Sequence, residues 1–222
     1  MLLLYQMEEK ITAIRQWLGT GSINIFGLPF SGKDTVGIRL AELIGAKFLS
    51  SGLILRSAQN EDSELSKDLN AGNLAPTAKF ESLVLPYFSR EDLQGFPLIL
   101  SSVGRWEGEE FNVISAAEKS GHPIKAAILL NVSQAEIKKR WHESRAMMDR
   151  GKREDDRDEH ILDNRINEFL TKTMPVIETY HSRGFLIPVS ANADRDSVFY
   201  NVVNGLYEMM LRQSGHDVPL NQ

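Results

Sequence analysis

The sequence predicts an α/β fold, a parallel β-sheet sandwiched between helices. Three observations carry that expectation. Short apolar or β-rich runs alternate with stretches of helical spacing along the chain, and a glycine-bearing loop joins the first such run to an amphipathic helix. The longest apolar run, Ile124 to Val132, lacks polar alternation in its middle, the pattern of a strand covered on both faces. In order, residues 4–18 place Ile11, Ile14, Trp17 and Leu18 at helical spacing and stop at Gly19 and Gly21. Ser22 to Phe26 reads as a strand, Gly27 to Gly32 as a loop, and Thr35 to Ile44 as a helix with Val36, Leu40, Leu43 and Ile44 on one face, closed by Gly45. Lys47 to Leu49 is a second strand, residues 52–72 one polar helical stretch ending at Ala71-Gly72, and 77–89 another helix. Pro97 to Leu100 is a strand, 107–119 a helix ending at Ser120-Gly121, and 134 to 182 helical with an interruption near 147–155. Gly184 to Val189 closes the sheet and 194–212 is the last helix.

Composition bounds the function. A chain of 222 residues with 42% apolar and 25% charged residues buries one sizeable core, and no repeat or Pro/Gly/Ser-rich linker divides it. The absence of cysteine excludes disulfides, thiolate metal sites and cysteine nucleophiles. No signal peptide is expected at Met1 to Tyr5, and no apolar stretch approaches the roughly 18 residues that span a bilayer. A net charge of −5 argues against general nucleic-acid binding. The five histidines, His122, His142, His160, His181 and His216, show no metal-ligand spacing and read as surface residues.

The chemistry-bearing motif is Gly27-Leu28-Pro29-Phe30-Ser31-Gly32-Lys33, which satisfies G-x-x-x-x-G-K between a strand and a helix. Backbone N–H groups of such a loop and the following helix N-terminus attract a polyphosphate, and a lysine adds a point charge on its β- and γ-phosphates. Where the motif usually ends in Ser or Thr, this sequence has Asp34 followed by Thr35.

Those residues resemble the G-x-P-G-x-G-K-G-T loop of the adenylate kinase or nucleoside monophosphate kinase family, with Phe30 and Asp34 at glycine positions. Further motifs follow in order over about residues 22–210. Ser50-Ser51-Gly52-Leu53-Ile54-Leu55-Arg56 is similar to S-T-G-D-x-L-R, Asn70 to Ala75 to D-A-G-x-L-V, Gly95 to Arg105 to G-F-x-L-D-G-F-P-R, and Arg165, Phe169, Thr173, Pro175, Ile177 and Tyr180 to the segment beyond the lid.

The resemblance implies a three-layer P-loop fold: an N-terminal extension (1–20), a core (21–50, 81–140 and 165–222), a mobile monophosphate-binding insertion (51–80) and a short, metal-free mobile lid (141–164). It implies transfer of the γ-phosphoryl of ATP to a nucleoside monophosphate with Mg²⁺, in the cytoplasm, with no nucleic acid or membrane partner and a monomeric chain, self-association being left open. Gly27, Pro29, Ser31, Gly32, Lys33, Asp34, Thr35 and Arg140 are expected around ATP, with Asp34 and Thr35 near the metal. Ser51, Gly52, Arg56, Leu74, Arg105 and Glu109 are expected around the acceptor, Glu109 standing where adenylate kinases often have an adenine-reading glutamine. Trp106 is a further candidate for the acceptor pocket. Lys33, Arg105, Arg145, Arg153 and Arg165 are the expected catalytic charges. Between Lys138 and Arg165 stand 9 of the 25 Lys and Arg residues, offset by eight acidic ones, and Arg150 belongs to the same group. Two carboxylates of the family pattern are absent, replaced by Leu53 and Ser101. Their loss keeps two alternatives open: a nucleotide-binding protein with weak or no transfer, and a kinase of a non-nucleotide acceptor.

Overall fold

The computed structural model describes residues 2–147 and 154–215; Arg150, Arg153 and His216 lie outside the described residues. Five strands, β1 (Ser22–Gly27), β2 (Lys47–Ser50), β3 (Leu98–Ser101), β4 (Ile124–Asn131) and β5 (Leu186–Ser190), form one sheet in the order β2-β3-β1-β4-β5. Every neighbouring pair is parallel, so each return crosses the sheet through helices. These are α1 (Leu2–Leu18), α2 (Lys33–Ile44), α3 (Ser51–Ala58), α4 (Ser63–Asn70), α5 (Thr77–Val84), α6 (Glu109–Lys119), α7 (Gln134–Met147), α8 (Glu159–Glu168), α9 (Met174–Ser182) and α10 (Arg195–Gln213). The expected α/β sandwich is therefore present. Central β1 is buried along its whole length, and Ile23, Ile25, Leu98, Ile99, Leu100, Ala126, Ala127 and Ile128 form the middle of the core.

Departures from the expected elements have local causes. The stretch 52–72 is two helices, because the Asp62 carboxylate accepts from the N–H groups of Glu64 and Leu65 and starts α4 anew. The helix over 77–89 ends at Val84 and continues as a 3₁₀ segment, Leu85–Ser89, where Pro86 interrupts the ladder. Leu43 is exposed and Ala41 takes the buried position beside Leu40 and Ile44. His122 is buried rather than superficial, its Nδ1 lying 3.0 Å from the Thr20 carbonyl. Residues 2–18 are no loose appendage: α1 packs on α10 and α2, and Ile11, Ile14 and Leu18 enter the core. Among the described residues no helix is long and apolar enough to cross a membrane.

Candidate active site

The sheet register assembles the site. Ile25 of β1 and Ser50 of β2 both pair with Ser101 of β3, so three neighbouring strands end at one edge and deliver three loops there. Open α/β sheets bind ligands at such carboxyl ends. Asn24, a buried amide in the middle of β1, reaches to the loop after β3. Its amide donates to the Val103 carbonyl at 2.7 Å and accepts from the Val103 N–H at 3.2 Å, fixing the segment that carries Arg105.

The loop after β1 turns back tightly enough that a Cβ on Gly27 would sit 2.5 Å from Ser31 Oγ, which only glycine avoids. Gly32, at φ +90°, then starts α2 in a conformation costly for other residues. Phe30 and Ser102 hold positive φ as well, 61° and 50°, without being glycine. Both stand where the family motifs carry glycine, so the backbone shape persists although the residue that favours it is gone. Non-glycine residues adopt this region rarely, and strain of this kind gathers at functional sites.

An open cleft of about 810 Å³, mouth included, follows these loops. Lys33, Arg56, Arg105 and Arg165 all line it, together with Gly27, Pro29, Asp34, Ser51, Gly52 and Leu74. Four cationic side chains thus meet in a protein of net charge −5. Desolvation in the cleft, with repulsion from Arg165 second, lowers the Arg105 pKa to about 10, against attraction from Glu109, Glu168 and Asp34. Arg105 still carries its charge at neutral pH, and a bound anion would relieve both penalties. Arg165 leans on two carboxylates, Asp156 at 2.5 Å and Asp155 at 3.5 Å. The Arg56 guanidinium lies over Gly52, where a Cβ would come within 3.1 Å of it.

Asp34 reaches across the cleft. Its Oδ1 accepts a 2.5 Å hydrogen bond from Ser101 Oγ at the end of β3. The family pattern puts a carboxylate at position 101; here a hydroxyl stands there and the carboxylate comes from the opposite wall, at the start of α2. Leu53, at the other altered position, is exposed. No group of three or more His, Asp or Glu residues suited to a metal occurs among the described residues.

Other expected residues stand elsewhere. Thr35 is exposed in the first turn of α2 and does not line the cleft. Ser31 is buried beneath the loop, and its Oγ has no partner among the described residues. Arg140 bonds the Ala191 carbonyl at 2.7 Å, the Ser31 carbonyl at 3.5 Å and Glu136 at 2.9 Å, so it fastens the loop after β1 to the loop after β5 from outside the cleft. Arg145 is exposed on α7, with its guanidinium 4.7 Å from the Trp141 ring centroid. Glu109 lines a side slot, its Oε2 accepting from the N–H groups of Arg105 at 2.7 Å and Trp106 at 3.1 Å. Trp106 lines the same slot.

The cleft also contains residues not singled out from the sequence as binding residues. Phe169 and Thr173 line it from a π-helical segment, Phe169–Thr173, between α8 and α9; π-bulges recur at functional sites. Asn73 lines it from the turn after α4, which is tied to α8: Asn164 donates to the Ala71 carbonyl at 2.9 Å and to Asn73 Oδ1 at 2.8 Å, and the Leu74 N–H donates to Glu168 at 3.0 Å. Asn24 had a readable signal, an amide amid apolar neighbours. Phe169 and Thr173 matched the family segment beyond the lid, but nothing in their spacing marks the π turn that brings them to the cleft.

Comparison with known proteins agrees with this architecture. A family model described as an AAA domain matches residues 26–162, more than half of the chain. The adenylate kinase of Mycobacterium leprae is 30% identical over 187 residues, covering 82% of this chain and 97% of the relative. Those of Thermosipho melanesiensis and Kocuria rhizophila are 28% identical over 212 residues and 26% over 186, each covering 82% of this chain and 98% and 96% of the relative. With identity this low but reach this complete, the chain belongs to the adenylate kinase family of P-loop proteins as a divergent member.

Proposed function

We propose that the protein is a Mg²⁺-dependent nucleoside monophosphate kinase that moves the γ-phosphoryl of ATP to a nucleoside monophosphate. The observation that carries this reading is the convergence of Lys33, Arg56, Arg105 and Arg165 on one cleft at the carboxyl edge of a parallel sheet. Phosphoryl transfer requires positioning and charge neutralisation more than covalent help from the protein, and four cations around a phosphate-sized space supply both. The loop from Gly27 to Gly32 would wrap the ATP phosphates, with Lys33 over the β- and γ-oxygens. Arg56 and Arg105 would grip the acceptor's monophosphate, the planar guanidinium matching two phosphate oxygens at once. Arg165 would face the transferring group from α8, while Arg140, bonded to the Ser31 and Ala191 carbonyls, would hold the loop after β1 in its phosphate-wrapping shape from outside the cleft. Magnesium bound with the nucleotide supplies neutralisation of the phosphate oxygens. Asp34 would orient its water shell, held in place by Ser101.

Initial rates with ATP–Mg²⁺ and a panel of AMP, CMP, UMP, GMP and the deoxynucleotides test the reading. Turnover with at least one is expected; tight ATP binding with no turnover on any, or turnover only with a non-nucleotide alcohol, would overturn it. Asp34→Asn keeps the bond to Ser101 while removing the charge. It is expected to raise the Mg²⁺ concentration needed for half-maximal rate about tenfold, and an unchanged Mg²⁺ dependence sinks the role given to Asp34.

A further inference from the structure

The bend that carries Arg105 follows a backbone path of its own. In the motif G-F-x-L-D-G-F-P-R a proline precedes the arginine, and its ring fixes φ at about −65°. Here Gly104 stands in that place at φ +78°, which no proline can adopt, and a Cβ there would meet Val113 Cγ2 of α6 at 2.9 Å. The sheet's hold on the chain ends early. The Ser102 N–H donates to the Ile25 carbonyl at 2.9 Å, and beyond it the N–H groups of Val103, Arg105, Trp106 and Gly108 all donate to side chains.

Two of those side chains fasten the bend to other parts of the core. Asn24 of β1 grips Val103 by both its N–H and its carbonyl. Glu110, the second residue of α6, accepts from the Gly108 N–H at 2.8 Å with Oε2 and from Thr179 Oγ1 of α9 at 3.0 Å with Oε1. Glu110 is only 1% exposed, and both of its oxygens are met by neutral donors. Burying a carboxylate in this way costs desolvation that an apolar side chain would avoid, so packing alone does not account for it. Resting on the kinase reading, we propose that Asn24 and Glu110 are positioning residues for Arg105: they clamp the two ends of its bend, to β1 and to α9, and so do the work of the missing proline ring. Glutamine at position 110 can keep both bonds. Its amide oxygen accepts from Gly108 and its NH₂ donates to Thr179 Oγ1, whose own hydrogen turns to the Pro175 carbonyl at 3.3 Å.

Steady-state kinetics of the full chain with its best nucleoside monophosphate acceptor test the clamp. Asn24→Leu and Glu110→Leu are each expected to raise the acceptor KM about tenfold with the KM for ATP within twofold, while Glu110→Gln stays within twofold of wild type for both. A merely structural loss would lower kcat and leave both KM values alone. Added to Arg105→Lys, Glu110→Leu is expected to cost less than about threefold more, because it acts through the guanidinium. A folded leucine variant with the wild-type acceptor KM, a glutamine variant no better than leucine, or full additivity with Arg105→Lys overturns the proposal. Amide hydrogen exchange of the unsubstituted protein needs neither variant nor substrate. Val103 and Gly108 are expected to exchange at least about 100-fold more slowly than an unstructured chain, and unprotected exchange at either amide overturns the clamp. Exchange also separates the two readings: protection without transfer to any nucleoside monophosphate defeats the kinase and leaves the clamp, whereas transfer with unprotected amides does the reverse.

Discussion

Replacing Lys33 by methionine is expected to lower kcat/KM for ATP about 10³-fold, a loss near 4 kcal/mol of transition-state stabilisation. Methionine keeps the apolar stem and removes only the ammonium, so the change isolates a charge. Lys33 is the first residue of α2, just after the left-handed Gly32, and lines the cleft from the helix N-terminus. There the charge adds to the partial positive charge of the helix end, and both act on the phosphate that gains negative character as the bond to the leaving group breaks. Because the loop backbone remains, ATP should still bind, with a dissociation constant raised less than tenfold. Steady-state rates beside a binding isotherm distinguish the two effects; a fall in kcat/KM below tenfold would remove Lys33 from the chemistry.

The second large effect is expected at Arg105. Arg105→Lys preserves formal charge but loses the fork that meets two phosphate oxygens, and kcat/KM for the acceptor should drop about 10²-fold with the KM for ATP nearly unchanged. The split follows from placement, since Arg105 borders both the cleft and the slot that contains Glu109. A distinctive pH dependence accompanies it. Desolvation and Arg165 already bring the arginine down to about 10, so it stays charged between pH 7 and 9. A lysine there starts from a lower intrinsic pKa and is pushed down in the same way, so its charged fraction falls as pH rises over that interval. The acceptor KM of the variant should therefore worsen from pH 7 to 9 while that of the wild type holds. A lysine variant with wild-type kinetics at both pH values contradicts the assignment.

Much of this was legible in the chain. Helical and strand periodicities located the sheet, and the glycines at 27 and 32 located the loop because they mark backbone that other residues cannot follow. Arg56, Arg105 and Arg165 could be named from motifs: Arg56 and Arg105 follow the ends of β2 and β3, and Arg165 leads into the matched positions Phe169, Thr173 and Tyr180. What stayed hidden depends on facing rather than spacing. Arg140 and Arg145 lie on α7, where a stretch dense in charge has no apolar stripe to say which side meets the cleft. Instead Arg140 caps the Ala191 carbonyl and Arg145 covers Trp141. Glu109 was recognised as a position, but that one of its oxygens would be held by two N–H groups depends on the bend between Ser102 and Gly108, which sequence patterns do not specify. The break at Asp62 was readable in principle, as an N-cap residue ahead of Ser63 and Glu64.

The two left-handed residues have a consequence for how such a site can change over time. Phe30 and Ser102 occupy backbone that costs roughly 1–2 kcal/mol each for residues with a Cβ. A domain with a typical margin of about 5–15 kcal/mol survives that, but only because the surrounding strands and helices leave the loops no alternative path. Loop shape here is thus a property of the scaffold, free to outlast the glycines that usually accompany it. Proteins of this kind can drift beyond the reach of glycine-based motif searches while their phosphate-facing backbone stays where it was.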